Sequence, residues 1–389
     1  MRSIKEETNL NDKKILLRLD LNVPLNNKKI TDTTRIDKII PTLKFLIKHN
    51  SKIIILSHVG RPKGKFVNEL SLKPICEDLE NKLNLNVKLI TKNINELNNK
   101  DLFKSVNEKI IMLENIRFYL EEEKNDDEFA KHLARLADIY VNDAFSCSHR
   151  AHASIYKIPN FLPSYSGLQL DMEIGALKKI TSEIKKPITC IIGGSKISTK
   201  INTLLSLTTS CSDIFIGGAM ANNFLKYNKF NVSSSLIEEG AERMIEMIYS
   251  SAKQTGCEIH LPVDVMLDSD QSVLVNELDK NTEFKISDIA DSSHIVLENL
   301  VKKSDIILWN GPMGMIEDHK FSKGSINLSH LLAKAQADVV IGGGDTILAI
   351  NMAKEKFEDF YFVSTAGGAF LEALEDKELL GIEALKADL

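Results

Sequence analysis

The sequence predicts an α/β protein with two similar-sized doubly wound domains, each built on a parallel sheet flanked by helices. Short apolar runs of strand length recur along the whole chain, and several stretches between them have the 3.6-residue periodicity of amphipathic helices. Such alternation is typical of parallel sheets wrapped by helices. At 389 residues the chain is longer than one hydrophobic core usually serves, which favours two domains.

The expected strands share a short apolar run that ends in polar residues or glycine, as buried parallel strands do. In the first half they are KKILLRLD (13–20), SKIIILSH (51–58), KIIMLEN (109–115) and DIYVND (138–143). In the second half they are PITCIIGG (187–194), SDIFIGG (212–218), CEIHLPVD (257–264), SDIILWNG (304–311), ADVVIGGG (337–344) and FYFVSTAGG (360–368).

Between the two halves, residues 170–186 have the pattern of one helix, which stops at Pro187. We expect this interdomain helix to join a first domain of residues 1–169 to a second domain that begins at residue 187. Its apolar face carries Leu170, Ile174, Leu177 and Ile184.

Arginine and glycine are distributed unequally between the two halves. Seven of the eight arginines lie in residues 1–186, whereas fifteen of the nineteen glycines follow, four times as a Gly-Gly step after an apolar run. Arginine holds carboxylate and phosphate oxygens two at a time through a rigid planar fork. Glycine lets backbone N–H groups approach an anion closely. We therefore expect one half to bind an anion with side chains and the other with main chain.

Composition and charge exclude several classes of protein. The apolar (43%) and charged (26%) fractions are those of a folded globular protein, and the sequence shows no signal peptide or membrane span. We therefore expect a cytoplasmic protein without a membrane partner. Residues 1–186 carry a net charge of +7 and the remainder –12. Because the arginines are isolated and lack interleaved aromatic residues, this asymmetry indicates a small polyanionic ligand and no nucleic acid.

The five cysteines are scattered and form no C-x-x-C pair, so we expect reduced thiols. Only Cys147, in a polar loop between serines, is a candidate for reactivity.

Ligands bind at the carboxyl ends of the strands in open parallel sheets, and the first half places polar residues there. FSCSHRAHAS (145–154) adds His149, Arg150 and His152 to this edge. An isolated surface histidine or arginine is normally solvated, but several that converge on one edge indicate a site. The spacing and the absence of acidic partners argue against zinc binding by these histidines. The strand-end residues of this half are Arg18, Asp20, Asn22, His58, Arg61, Arg117, Asn142 and Asp143.

The first glycine turn of the second half, in IIGGSKISTKINTLL (191–205), follows a strand and precedes a helix. Lys196 and Lys200 are four residues apart, which predicts that they share one helical face. The turn either cradles a phosphate or is an ordinary connection, since no Walker A pattern is present.

The turn in VIGGGDTILAI (340–350) places Asp345 and Thr346 at the start of a helix after three glycines. A carboxylate beside bare amides suits Mg²⁺ that bridges nucleotide phosphates, although such a residue also often only caps the helix. In WNGPMGMIE (309–317), Pro312 and its apolar neighbours can form a wall for an adenine, and Glu317 can accept from a ribose hydroxyl.

In these motifs the sequence resembles the phosphoglycerate kinase family over nearly its whole length. The matching segments are RLDLNVP (18–24), the segment around Arg35, SHVGRPKG (57–64), ENIRF (114–118), VNDAFSCSHRAHAS (141–154), GGSKISTK (193–200), LPVDV (261–265), WNGPMG (309–314), GGGDT (342–346) and GGAFLE (367–372). The resemblance implies reversible phosphoryl transfer between 1,3-bisphosphoglycerate with MgADP and 3-phosphoglycerate with MgATP, in glycolysis and gluconeogenesis. It also implies a monomer whose C-terminal tail, residues 372–389, packs back on the first domain, so that the second domain ends at residue 371.

The resemblance further implies roles for individual residues. Expected to bind 3-phosphoglycerate are Asp20, Asn22, Arg35, His58, Arg61, Arg117 and Arg150. Expected to bind the nucleotide are Gly193, Gly194, Lys200, Gly217, Gly218, Asn310, Pro312, Glu317, Gly343, Gly344, Asp345 and Thr346, with Asp345 toward Mg²⁺. Expected beside the transferring phosphoryl group are Arg35, Lys196, Gly367 and Gly368.

The chemistry agrees with this assignment, because a carboxylate leaving group needs no general acid. Transfer then depends on in-line positioning and on neutralising charge over the equatorial oxygens. Since water destroys an acyl phosphate, we expect domain closure about the interdomain helix to dry the site.

The chain departs from the family pattern at three places. Ala366 stands where the family usually has the first of three glycines, Ala219 replaces a glycine in GGAM, and residues 146–148 replace small residues. If position 366 needs a positive φ, alanine costs on the order of 1 kcal/mol there.

Two other classes fit less well. A two-lobed small-molecule binding protein needs no GGGDT turn, and a nicotinamide-dependent dehydrogenase needs a G-x-G-x-x-G motif that is absent.

Overall fold

The computed structural model describes residues 1–105, 107–181, 187–279, 282–375 and 379–386. These residues form two compact units, the first with residues 1–175 and 379–386 and the second with residues 176–375. Residues 182–186 of the expected interdomain helix, including Ile184, lie outside the described residues, as do 376–378 and 387–389 of the expected tail. Within the described ranges, no helix is long and apolar enough to cross a membrane.

The first unit is built on a six-stranded parallel sheet. The strands of the unit are β1 (Lys14–Leu19), β2 (Leu25–Asn26), β3 (Lys29–Ile30), β4 (Lys52–Leu56), β5 (Val87–Ile90), β6 (Ile110–Leu113), β7 (Ile139–Asp143) and β8 (Ser164–Ser166). Its helices are α1 (Thr34–Lys48), α2 (Lys73–Leu83), α3 (Leu120–Glu123), α4 (Asp127–Ala134) and the beginning of α5 (Leu168–Thr181). The strand order in the sheet is β5-β6-β4-β1-β7-β8, and β2 and β3 form a separate hairpin.

Strand β1 shows why the apolar runs do not alternate with polar residues. Ile15 and Leu17 pack in one cluster with Ile36 and Leu43 of α1, whereas the intervening Leu16 is also fully buried. Because helices cover both faces of the sheet, each such side chain contributes about 1.5–3 kcal/mol by burial.

The second unit repeats this architecture with another six-stranded parallel sheet. The strands of this unit are β9 (Ile188–Ile192), β10 (Asp213–Ile216), β11 (Glu258–His260), β12 (Asp264–Leu267), β13 (Ser272–Leu274), β14 (Ile286–Ile289), β15 (Ile306–Asn310), β16 (Asp338–Gly342) and β17 (Phe362–Ser364). Its helices are α6 (Ile201–Ser210), α7 (Gly218–Tyr227), α8 (Glu242–Thr255), α9 (Asp291–Lys303), α10 (Lys323–Ala333), α11 (Gly344–Ala353) and α12 (Gly368–Leu374). The order in the large sheet is β11-β10-β9-β15-β16-β17, and β13-β12-β14 form a small antiparallel sheet. The predicted fold class is confirmed.

Each large sheet has a switch point, where the chain changes the direction in which it adds strands. In the first sheet this point lies between β1 and β7, and in the second between β9 and β15. Ligands of open α/β sheets bind beyond the carboxyl ends of the strands at such points.

The unit boundaries differ slightly from those expected from the sequence. The first boundary falls inside α5, after residue 175, so this helix contributes to both units. At the other end, residues 372–375 belong to the second unit: the Leu374 carbonyl and the Glu375 carboxylate accept hydrogen bonds from Ser206 and Thr203 of α6, both at 2.6 Å. The described chain belongs to the first unit again from residue 379, and in α13 (Leu380–Ala384) the Gly381 N–H donates to the Ser148 carbonyl at 2.7 Å.

Candidate active site

The first unit gathers three arginines and two histidines at the carboxyl edge of its sheet, and we call this set the arginine cluster. Its members are Arg18, His58, Arg117, Arg150 and His152. Each follows or ends a parallel strand, which explains why residues distant in sequence meet here.

Arg18 lies at the centre of the cluster, although we had not expected a binding role for it from the sequence. It is fully buried, and its Nε donates to Ser154 Oγ at 2.9 Å, whose hydroxyl in turn donates to buried Glu122 at 2.6 Å. Arg18 Nη2 lies 3.2 Å from His58 Nδ1. Because arginine can only donate, Nδ1 is the acceptor and the proton of a neutral His58 ring is on Nε2. The position of Arg18 within a strand end was the only signal in the sequence.

Burial and the arginines keep both histidines neutral. Burial, followed by the charge of Arg18, holds the pKa of His58 well below its ordinary value. Burial, followed by the charge of Arg117, lowers the pKa of His152 to about 3. The positive charge of the cluster is therefore carried by its arginines.

Arg117 is 2% exposed, yet its guanidinium is only partly satisfied. Nη1 donates to the Gly60 carbonyl at 3.0 Å, and Nε lies 3.6 Å from the Glu123 carboxylate. Nη2 has no hydrogen-bond partner among the residues that the structure describes. A buried donor without a partner is energetically unfavourable, so this group is ready to bind an anion.

Asp20 connects other expected site residues beside the cluster. Its carboxylate accepts from Arg35 Nη1 at 2.7 Å, from the backbone N–H of Asn22 at 3.1 Å and from Ser146 Oγ. The Asn22 side chain accepts from the Gly60 N–H at 2.9 Å.

The two remaining expected arginines differ in their surroundings. Arg150 donates through Nε to His149 Nε2 at 2.9 Å and is partly buried. Arg61 is exposed, and none of its described contacts joins it to the cluster.

A metal is a poor alternative ligand here. Asp20, His58 and Cys147 have potential ligand atoms within 4.8 Å of one another. However, Arg35 donates to Asp20, and Arg18 lies 4.0 Å from Cys147 Sγ as well as beside His58. Two guanidinium groups repel a cation, so the set is suited to an anion.

In the second unit, three glycine turns meet at the switch point: residues 193–194, 217–218 and 311–312. A Cβ on Gly193 would lie 1.9 Å from the Pro312 carbonyl oxygen, and one on Gly311, at φ +92°, 2.4 Å from the Gly193 carbonyl oxygen. The three backbones approach more closely than any larger residue allows. These glycines are therefore required for the packing of the turns, whatever they bind.

Lys200 and Asn310 form a polar pair beneath these turns. Lys200 Nζ donates to the Gly193 carbonyl at 2.6 Å and to Asn310 Oδ1 at 2.7 Å, and Asn310 Nδ2 donates to the Gly342 carbonyl at 2.7 Å. Burial lowers the pKa of Lys200 to about 8, with opposing effects from Cys190 and Asp345.

The prediction that Lys196 and Lys200 share a helical face is wrong. Helix α6 begins only at Ile201, because the preceding turn buries Ile197 and leaves Lys196 exposed.

A cavity of about 570 Å³ opens beside the turns, and we call it the glycine-turn cavity. Of the residues expected to bind nucleotide, Gly194, Gly218, Pro312, Glu317 and Asp345 line it. Apolar neighbours that share its wall include Ala219, Leu236 and Met315.

Asp345 and Thr346 lie in the first turn of α11. The N-cap is Gly343, at φ +101°, and the described structure shows no hydrogen bond of the exposed Asp345 carboxylate. The alternative that Asp345 merely caps the helix thus has no supporting contact. Thr346 is fully buried, and its hydroxyl accepts from the Gly311 N–H at 2.7 Å and donates to the Gly342 carbonyl at 2.8 Å.

Gly367 and Gly368 lie beyond β17, the edge strand, as the N-cap and first residue of α12. The positive φ, +59°, belongs to Gly367, whereas Ala366 is not in the left-handed region. The backbone strain considered for Ala366 therefore does not arise.

The chain matches a family model described as phosphoglycerate kinase over residues 5–377. It is 43% identical to phosphoglycerate kinase of Wolbachia pipientis wMel, over 99% of this chain and 98% of that protein. It is 40% identical to the Finegoldia magna enzyme, over 98% of each chain. Among solved structures, phosphoglycerate kinase of Coxiella burnetii matches with a TM-score of 0.89 and 34% identity, covering 99% of this chain and 98% of that one. The Pyrococcus horikoshii structure matches with a TM-score of 0.84 and 25% identity over the same shares. Since the match spans nearly the whole chain in sequence and in fold, this chain belongs to the phosphoglycerate kinase family.

Proposed function

We propose that the arginine cluster binds the phosphate of 3-phosphoglycerate and that the glycine-turn cavity binds ADP or ATP. The chain is a phosphotransferase with a carboxyl group as acceptor, and it interconverts 1,3-bisphosphoglycerate plus ADP with 3-phosphoglycerate plus ATP. The observation that carries the first assignment is buried Arg117, whose Nη2 has no partner among the described residues.

Around this donor, the cluster supplies a second guanidinium group, that of Arg150, and the neutral ring of His58. A phosphate accepts from Arg117 Nη2 and from Arg150, and His58, with Nδ1 occupied by Arg18, offers Nε2–H. Exposed Arg61 reaches the same phosphate only if its side chain moves. Asp20, Asn22 and Arg35 then hold the glycerate end, since the Asp20 carboxylate accepts from a hydroxyl and Arg35 donates to a carboxylate.

At the nucleotide end, the apolar wall with Pro312 takes the base, and exposed Glu317 accepts from the ribose. We assign to the phosphates Lys200 and the backbone N–H groups at the start of α11, since the N–H groups of Gly193, Gly217 and Gly218 already donate to carbonyl oxygens of the protein. Asn310 accepts a hydrogen bond from Lys200 and orients it, and the Thr346 hydroxyl connects the Gly311 N–H to the Gly342 carbonyl. Gly193, Gly194, Gly217, Gly218, Gly343 and Gly344 are assigned to this site as backbone.

Asp345 is the residue that would hold Mg²⁺. Its exposed carboxylate has no described hydrogen bond, and Mg²⁺ usually takes one or two carboxylates together with phosphate oxygens and water. When bound, Mg²⁺ neutralises charge on the phosphate oxygens.

For the transfer step we assign positioning and charge stabilisation to Arg35, Lys196 and the amides at Gly367 and Gly368. No proton donor is needed, because the group that leaves 1,3-bisphosphoglycerate is a carboxylate. Closure of the two units during transfer, action as a monomer and a cytoplasmic location stay predictions.

The assignment is tested by initial rates of 1,3-bisphosphoglycerate formation, with 3-phosphoglycerate, ATP and Mg²⁺ varied in turn. Arg150→Met should raise only the KM for 3-phosphoglycerate. Asp345→Asn should raise only the KM for ATP and the Mg²⁺ concentration that gives half the maximal rate. Exposed Arg135→Met is the matched control and should change neither. A swap of these effects, or no effect of either variant, contradicts the proposal.

A further inference from the structure

Asp288 is a buried carboxylate in β14 that forms part of the wall of the glycine-turn cavity. Its Oδ1 accepts the N–H of Ile289 at 2.9 Å, and its Oδ2 accepts the N–H of Gly324 at 2.7 Å. Gly324 is the second residue of α10, so an ionised Asp288 also interacts favourably with the positive end of that helix. Asp288 thus connects α10 to the small antiparallel sheet through its hydrogen bond with Gly324.

The same carboxylate lies directly against two glycines. A Cβ on Gly314 would be 2.2 Å from Asp288 Oδ1, and one on Gly324 would be 2.3 Å from it. Neither glycine has a left-handed φ, so close contacts exclude a larger residue: Asp288 is the nearest neighbour in both cases, and the Phe321 carbonyl oxygen, at 2.5 Å from the Gly314 Cβ position, adds to the restriction there. Gly314, the last residue of the WNGPMG motif, is therefore tied to the position of Asp288.

The cavity wall depends on this arrangement, because residues 311–317 are attached to the same two elements. The Met315 N–H donates to the Ser287 carbonyl at 2.9 Å, and the Met313 N–H donates to Ser325 Oγ at 2.8 Å. Asp288 lies between these attachments, next to Ser287 in sequence and bonded to the residue before Ser325.

We infer that Asp288 is a positioning residue for the nucleotide, whose carboxylate holds residues 311–317 in the shape that the base and ribose require. This inference rests on the proposed binding of nucleotide in the glycine-turn cavity. Since Asp288 acts through the cavity wall, it should govern the KM for nucleotide and leave the KM for 3-phosphoglycerate and kcat unchanged.

The charge of Asp288 should depend on pH near neutrality. Burial raises its pKa to about 7, against the opposing effects of the Gly324 and Ile289 N–H groups and of Lys323. Below that pH the carboxyl is protonated, and its two hydrogen bonds lose their ionic character. The KM for nucleotide should therefore rise as pH falls through about 7.

Other ionisable groups face Asp288 across the two cavities that it borders. They are Asp268, Lys285, Glu317 and Asp345 on one side and Asp291, His294, Lys320 and Lys323 on the other. Burial lowers the pKa of His294, against the opposing charges of Asp291 and Asp264.

The experiment compares Asp288→Asn with wild type, measuring nucleotide KM at saturating free Mg²⁺ from pH 6 to 8. Asparagine does not titrate, so the ratio of the two KM values removes the titration of ATP itself. We expect a ratio of about tenfold at pH 8 that falls to about twofold at pH 6. Exposed Asp291→Asn, the matched acidic control, should show a ratio near one throughout.

Two more variants keep the outcome interpretable. Ser325→Ala removes one attachment of the wall without removing the titrating group, so it should raise nucleotide KM and retain the wild-type pH dependence, even if Asp288→Asn does not fold.

Ala219→Trp fills the cavity and should abolish ADP binding measured by calorimetry. If Ala219→Trp binds ADP normally, the proposed site fails. If Ala219→Trp does not bind ADP, the site stands and two results overturn the inference about Asp288. One is a ratio of Asp288→Asn to wild-type nucleotide KM that is constant with pH. The other is a nucleotide KM of Ser325→Ala that does not change with pH.

Discussion

Replacement of Arg117 by lysine separates the two properties of this side chain, because it keeps the charge and removes the fork. In the structure Nη1 already donates to the Gly60 carbonyl at 3.0 Å, while Nη2 is the donor without a described partner. Lysine has one nitrogen, which can serve Gly60 or the bound phosphate but not both in the same geometry. The variant should therefore lose one charge-assisted hydrogen bond, worth about 1.5–3 kcal/mol.

That loss corresponds to an increase of about 10- to 150-fold in the KM for 3-phosphoglycerate. The KM for ATP and kcat should change by less than about threefold, because the lost bond holds the phosphate in substrate and transition state alike. Initial rates at saturating MgATP measure the KM for 3-phosphoglycerate, and calorimetric titration of 3-phosphoglycerate measures its affinity without turnover.

Arg135→Lys is the matched control, since Arg135 is exposed at the end of α4. It should leave both KM values and the melting temperature unchanged. If Arg117→Lys is folded and its KM for 3-phosphoglycerate stays within threefold of wild type, the unsatisfied Nη2 is not the phosphate donor.

Three further predictions concern other residues of the site. Arg35→Lys keeps the charge beside Asp20 but not the fork, so the rate of transfer should fall at least about tenfold; near-normal turnover contradicts this role. Because the pKa of Lys200 is about 8, its charge is lost as pH rises, and nucleotide KM should increase between pH 7 and 9 in wild type but not in Lys200→Met. Gly193→Ala, whose Cβ would meet a backbone oxygen at 1.9 Å, should lower the unfolding free energy by at least about 2 kcal/mol. Gly175→Ala, with nothing within 4 Å of its Cβ, should be neutral or stabilising in the same denaturation assay.

The sequence predicts the large parallel sheets well because their strands are buried on both faces. Each of the ten apolar runs contains a strand of one of the two sheets. The two strands of the large sheets that sequence reasoning missed have weaker patterns: β5 (VKLI) includes a lysine, and β8 (SYS) contains one apolar residue between two serines. Both lie at the edge of the first sheet, where pairing on one side and tertiary contacts stabilise a strand with little apolar signal.

Side-chain environment explains what the sequence predicted less well within the site. Arg18 and Arg61 are both arginines at strand ends, yet the first is fully buried and the second exposed. Arg18 lies inside an apolar strand and Arg61 in the loop after β4, but the local sequence does not show that Arg18 donates to Ser154, which lies 136 residues away. The same holds for Asp288, whose two glycine neighbours come from separate segments, Gly314 from the WNGPMG motif and Gly324 from α10.

We expect the two proposed sites to bind anions in different ways, because different groups occupy the switch points of the two sheets. Between β9 and β15 the backbones of the turns are in contact, so no side chain fits between them and the edge is formed by main chain. Beside β1, at the end of β7, the edge holds Asp143, which accepts from Thr42 and from the Leu170 N–H at 2.8 Å and excludes a Cβ at Gly167. An ionised carboxylate at that point repels phosphate, so in the first unit the cations come from the end of β1 and from the surrounding turns. Arginine is suited to reach an anion at the switch point from these positions, since it has a long side chain and its charge persists when it is buried.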